Sequence, residues 1–259
     1  MKDKIKKLLE NIEKENDIKI LFGIENGSRS WGMASKDSDY DVRFVFCRPV
    51  ENYISLSKEK DVITAAFDEN LKKCPVQGSL IDISGFDIFK YLKLLYSSNP
   101  TTLEWLNSHI VYLGNNNLPL REYMNKNFNR IRLFKHYFSL FKNNYREFIE
   151  QGKRITYKKY LYSMRGILNA EYVYNFDTLP PLDLRKTADD LKDIIPYEVY
   201  KKLQEVIEVK SNGLERERIL RIPVFDELCK TEMNKNFDNF SDRTPDIKIF
   251  NNFLKNLLL

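Results

Sequence analysis

Residues 25–43 read Glu-Asn-Gly-Ser-Arg-Ser-Trp-Gly-Met-Ala-Ser-Lys-Asp-Ser-Asp-Tyr-Asp-Val-Arg. A Gly-Ser turn follows an apolar run. Two carboxylates, Asp39 and Asp41, then stand one residue apart at the head of the next apolar run. Side chains at i and i+2 of a strand share a face, so these two acids are expected to point the same way. Together they repel unless a cation lies between them. No His or Cys is nearby, and an all-oxygen set suits Mg²⁺ or Mn²⁺. Two such ions, roughly 3.5–4 Å apart, stabilise both the attacking and the leaving oxygen of a phosphoryl-type transfer. Gly27 lets the backbone approach a phosphate, and Ser28 offers a hydroxyl. The turn can also present N–H groups at a helix N-terminus, which is an anion site. Arg29 and Arg43 are candidate phosphate ligands.

Such chemistry calls for a third carboxylate to help activate the incoming hydroxyl. Asp82 is the candidate. It lies between Ile81 and Ile83 in a run that reads as a strand, and a polar residue there is costly unless it is paired. If the 80–84 strand runs beside the 39–46 strand, the three acids converge. Periodicity alone does not choose among Asp37, Asp39 and Asp41, because the run is Asp-Ser-Asp-Tyr-Asp. Asp87 reads as a helix cap, as does Asn99 before Pro100. Only two histidines exist, His109 and His136, which leaves little for histidine-based catalysis.

The elements that must carry these residues follow from periodicity. Residues 2–14 place Ile5, Leu8, Leu9 and Ile12 at helical spacing. Strands are expected over 18–25, 39–47 and 80–84, with a weaker one over 61–66. A helix over 88–97 and another from Pro100 complete the first part. After about residue 118 helical periodicity dominates, over 121–151, 156–174, 184–191, 196–211 and the tail beyond 244. The break at Gly114-Asn-Asn-Asn-Leu-Pro119 sets the expected division into 1–117 and 118–259.

The composition is that of a globular protein. In 259 residues, 42% are apolar and 31% charged, with a net charge of +5. This excludes disorder, collagen and a disulfide scaffold. No apolar run approaches the roughly 18 residues of a membrane span, and the basic N-terminus lacks the apolar core of a secretory signal. Three scattered cysteines suggest reduced thiols in the cytoplasm. Charge is concentrated between Arg130 and Arg165, where ten cations stand against two acids, a local excess of eight. Nine aromatic residues are interleaved. The segment suits a polyanion such as RNA or a triphosphate; a solvated basic face over an aromatic core is the alternative.

Gly27-Ser28, ten intervening residues and Asp39-Tyr40-Asp41 resemble the signature of the DNA polymerase β-type nucleotidyltransferase superfamily. The longer strings are Glu25–Gly32, Ser38–Arg43, Ile81–Asp87, Ser98–Pro100, Leu103–Leu106 and Lys158–Arg165. These resemble a bacterial and phage family of predicted nucleotidyltransferases associated with RNA repair, over about residues 20–185. Phe86 stands where the family pattern has Trp. The resemblance implies an α+β fold. A polymerase-β-like nucleotidyltransferase domain, a small mixed sheet with helices, would precede a helical domain, with the nucleotide between them. It implies that Gly27 and Ser28 hold the triphosphate, that Asp39 and Asp41 bind Mg²⁺ or Mn²⁺, and that Asp82 is the third carboxylate. Glu25 and Trp31 recur in the pattern; Trp31 suits core packing and base stacking equally.

Lys158, Tyr162, Arg165 and Asn169 fall on one helical stripe. Within the resembling motif, Lys158, Tyr162 and Arg165 are read as nucleotide contacts. The activity expected is transfer of a nucleoside monophosphate from an NTP to a hydroxyl, with an RNA or tRNA 3′ end as the acceptor. Rival readings are a protein or small-molecule acceptor, including a toxin–antitoxin or defence role, and a non-catalytic nucleotide- or RNA-binding module.

Overall fold

A computed structural model describes residues 1–152, 155–213, 218–235, 237 and 243–259. In chain order the elements are α1 (Lys2–Glu15), β1 (Lys19–Asn26), the single turn α2 (Gly27–Ser30), β2 (Tyr40–Cys47), α3 (Val50–Tyr53), β3 (Val62–Phe67) and β4 (Ile81–Asp87). Then come α4 (Ile88–Tyr96), α5 (Pro100–Asn107), β5 (Val111–Gly114), α6 (Leu120–Asn127), α7 (Arg130–Asn144) and a π-helical turn (Tyr145–Glu150). The chain closes with α8 (Tyr157–Phe176), α9 (Leu184–Asp190), α10 (Tyr197–Ser211), α11 (Pro223–Asn234) and α12 (Ile247–Leu258). The fold is α+β.

The described chain forms two compact units. The first holds residues 1–30, 38–128 and 244–259; the second holds 31–37 and 129–243. This partition differs from the expected division after residue 117. The first unit extends through α6 and also includes α12, where Phe250 is buried with its ring near those of Tyr96 and Tyr123. The segment 31–37 belongs to the helical unit, so the chain leaves the first unit just after the Gly-Ser turn and returns just before Asp39.

The first unit is built on a five-stranded sheet in the order β3-β4-β2-β1-β5. Only β2 and β4 run parallel. One face carries Val42, Phe44, Phe46, Ile81 and Ile83 in a core with Ile5, Leu9 and Ile12 of α1. On the other, Phe22 and Phe86 meet the rings of Tyr91 and Trp105 from α4 and α5. Because side chains alternate, Asp82 shares the Phe86 face while Ile81 and Ile83 point into the α1 core. Both expected caps form. Asp87 accepts from the Phe89 N–H, and Asn99 accepts from that of Thr101.

In the second unit, Arg130 at the start of α7 donates to the Val173 and Tyr174 carbonyls near the end of α8, so the two helices run antiparallel. They approach closely at Gly166, where a Cβ would lie 2.9 Å from the Phe141 Cα. Tyr145, Met164, Leu168, Leu203, Ile207 and Phe225 fill the core.

Several expectations need correction. The helix expected over 121–151 is interrupted at Phe128–Asn129, where Asn129 caps α7 by accepting from the Arg132 N–H, and it ends in the π-helical turn. The four-residue strand β5 and helix α11 were not expected. β5 is too short to show alternation, and the chain before α11 offers no side-chain cap. Lys153 and Arg154 of the basic segment lie outside the described residues. Cys47, Cys74 and Cys229 are free thiols.

Candidate functional site

The parallel register of β2 and β4 sets Asp41 opposite Asp82. Their carboxylates are joined by Arg43, whose Nη2 lies 3.1 Å from Asp41 Oδ1 and 2.8 Å from Asp82 Oδ2. Its Nη1 also donates to the Val42 and Asp82 carbonyls. The side chains of Asp41, Asp82 and Arg43 retain 25%, 22% and 16% of their exposure, so the cluster opens to solvent. Arg43 is thus placed as the counter-cation of the two acids.

Asp39 departs from the expected strand geometry. β2 begins at Tyr40, so Asp39 lies exposed in the preceding loop, one residue before the strand. The reason is Arg29. Its guanidinium donates to the Ser38 and Asp39 carbonyls (2.5 and 3.1 Å) and stacks 3.8 Å from the centre of the Tyr40 ring. Arg29 therefore fixes the loop that carries Asp39. Among the described residues, no three acidic, His or Cys side chains are gathered into a metal-holding group.

Gly27 faces this cluster. Its φ is +64°, a conformation that favours glycine. A Cβ there would sit 1.9 Å from Asp41 Oδ2. The Gly-Ser turn and the Asp41 carboxylate are therefore in direct contact, and Ser28 is nearly buried beside them.

The sequence reading gave Glu25 no physical role, and the structure supplies one. Glu25 is fully buried, and one carboxylate oxygen accepts from the Asp41 N–H at 2.9 Å. The other accepts from the Tyr112 hydroxyl, while the Glu25 carbonyl accepts from the Ser108 hydroxyl. Burial raises its pKa to about 7 against these hydrogen bonds. Glu25 thus positions the backbone of Asp41. The signal was present, an acid near the end of an apolar strand. Its partner Tyr112 lies on the unexpected β5.

The α8 stripe lies in the second unit. Arg165 is buried and stacks 3.8 Å from the centre of the Trp31 ring. Tyr162 meets Trp31 edge-on at 5.5 Å, and Lys158 lies 5.9 Å from the Tyr162 ring. Trp31 is therefore packed in the second unit's core, while Lys158 and Tyr162 stay partly exposed. The segment around Trp31 is held by its own carbonyl, which accepts from the Leu184 N–H. The Met33 carbonyl accepts from the fully buried Lys210 at 2.5 Å.

A small mixed sheet followed by a helical part makes the chain an α+β protein. Residues 1–258 match the RNA repair pathway DNA polymerase beta family, and the chain belongs to that family. It is 32% identical to the uncharacterized protein YcgL of Bacillus subtilis strain 168, over all of this chain and 95% of that one. A solved nucleotidyltransferase-like protein from Exiguobacterium sibiricum aligns over 88% of this chain and 75% of its own, at 10% identity and a TM-score of 0.33. Among the described residues no helix is long and apolar enough to cross a membrane.

Proposed function

We propose that this protein transfers a nucleoside monophosphate from an NTP to an acceptor hydroxyl, releasing pyrophosphate, and that the acceptor is an RNA 3′ end. The observation that carries the reading is the pairing of Asp41 with Asp82 beside the Gly27 turn. Family membership supports nucleotidyl transfer as the class of chemistry and an RNA-related substrate.

The donor set suits a hard divalent cation. Asp41 and Asp82 are all-oxygen ligands, close enough to share one guanidinium and open to solvent. Asp41 and Asp82 would hold Mg²⁺ or Mn²⁺, joined by Asp39 from its loop. When bound, the metal supplies charge stabilisation at the phosphorus and a more acidic acceptor hydroxyl.

The chain's own residues do the rest. Gly27 clears room for a phosphate against the turn, and Ser28 donates to it. Glu25 fixes the Asp41 backbone, and Arg29 fixes the Asp39 loop. Arg43 is held against the two acids in the resting protein, so it is assigned to balancing their charge and not to first contact with phosphate. Lys158 and Tyr162 are proposed as nucleotide contacts. Arg165 is proposed to act by holding Trp31 and, through it, Tyr162.

The test is transfer of label from each α-labelled NTP, with Mg²⁺ or Mn²⁺, into total RNA and into protein. An Asp39→Ala/Asp41→Ala variant is the control. Label in RNA that disappears in the variant supports the proposal and names the base. Label in protein alone transfers the acceptor to a protein side chain, and label in neither removes the RNA acceptor.

A further inference from the structure

Ten cations lie between Arg130 and Arg165; Lys153 and Arg154 are outside the described residues, and the others differ in what they touch. Arg130 is bound to carbonyls of α8 and lies 3.3 Å from the Asp177 carboxylate. Arg165 is buried on Trp31. Lys142 lies 4.6 Å from the Phe138 ring, and Lys159 lies 5.1 Å from the Phe148 ring. Arg132, Lys135 and Arg146 are exposed, and of these Arg132 and Lys135 lie on α7. With His136, Ser139, Leu140 and Asn143 they line a shallow groove of about 420 Å³.

These six residues recur at helical spacing, from Arg132 to Asn143, and cover about 16 Å of helix surface. α7 contains no acidic residue. The groove therefore offers guanidinium, ammonium, hydroxyl and amide groups in one line, with Leu140 the one apolar side chain among them. That set suits a run of phosphodiesters better than a lipid surface, which needs apolar side chains to insert.

We infer that the outer groove of α7 is a docking surface for the sugar–phosphate backbone of an RNA, contacted by Arg132 and Lys135. The inference rests on the RNA-acceptor reading and adds where that RNA is held. Contacts of this kind set affinity and salt dependence without selecting sequence.

The test measures binding of a fluorescein-labelled RNA hairpin with a single-stranded 3′ tail, by anisotropy across a salt series, using the full chain. The proteins compared are wild type, Arg132→Gln/Lys135→Gln, and Lys192→Gln/Lys201→Gln. The last removes the same charge from exposed positions elsewhere in the helical unit. Each phosphate contact contributes about 0.7–0.9 to the slope of log K against log salt. The α7 variant should bind at least tenfold more weakly at 150 mM salt, with a slope reduced by about 1.5. The control variant should keep the wild-type slope, and all three should melt alike. Wild-type binding with an unchanged α7 variant would overturn the docking surface and leave the RNA acceptor standing. No salt-dependent binding by wild type would overturn the RNA-acceptor reading, and the surface with it. Competition by polyglutamate as strong as by unlabelled RNA at equal charge would overturn RNA in favour of an acidic protein partner.

Discussion

Arg43 spans Asp41 and Asp82 with two hydrogen bonds from one nitrogen, and a cation bound by the same oxygens must compete with it. Removing the guanidinium leaves two neighbouring carboxylates without that counter-charge, which favours a divalent ion in its place. Arg43→Ala is expected to bind Mn²⁺ several-fold more tightly than wild type in an electron paramagnetic resonance titration. An unchanged affinity would mean that arginine and metal do not share these carboxylates. Gly27 makes a second prediction at this scale. Gly27→Ala puts a methyl group into the Asp41 carboxylate and forces a positive φ on alanine, which alone costs about 1 kcal/mol. Label transfer should fall by more than 100-fold, while far-UV circular dichroism stays close to wild type.

Elements convert these residues into a site. The single parallel pairing in the sheet, β2 with β4, sets Asp41 beside Asp82, and a slip of one residue would send Asp82 into the α1 core. Much of this was legible. Alternation around Ile81-Asp82-Ile83 gave the strand and its polar face, and Asp87 and Asn99 announced the helices they cap. The start of β2 was not legible, because it depends on Arg29 holding carbonyls nine and ten residues away. The place of α12 was not legible either. Its apolar pattern announces a buried face but not which unit covers it. Phe250 is 3% exposed, with its ring near Tyr96 and Tyr123. Phe250→Ala is expected to destabilise the first unit by about 3 kcal/mol. The check is the urea transition followed by hydrogen exchange of the sheet amides.

Among the described residues, each compact unit carries a buried acid with a pKa raised to about 7 by loss of water: Glu25 in the first and Glu232 in the second. Glu232 stands beside Glu171, which adds like charge, and beside Lys235, which opposes it. Such an acid ionises near 4.5 in the unfolded chain, so between pH 4.5 and 7 the folded form keeps a proton that the unfolded form has released. Stability therefore falls as pH rises through this window and levels off above it. For Glu25 the effect is at most about 3 kcal/mol. Glu25→Gln should flatten the fall in urea midpoint between pH 5 and 7.5, and Glu25→Gln/Glu232→Gln should flatten it further. A wild-type slope in the single variant would show that Glu25 does not titrate in this range.

Local chemistry was determined by the sequence alone. Residue types and short spacings name the Gly-Ser turn, the helix caps and the alternation of each long strand, because these depend on neighbours within a few positions. Tertiary structure decided what depends on distant partners. It set Asp41 opposite Asp82, placed Arg43 between them, and buried Glu25 under Tyr112, 87 residues away. It also packed Arg165 against Trp31 and left Arg132 and Lys135 exposed. Charge and periodicity state which groups can bind an anion. Packing determines which of them are already occupied.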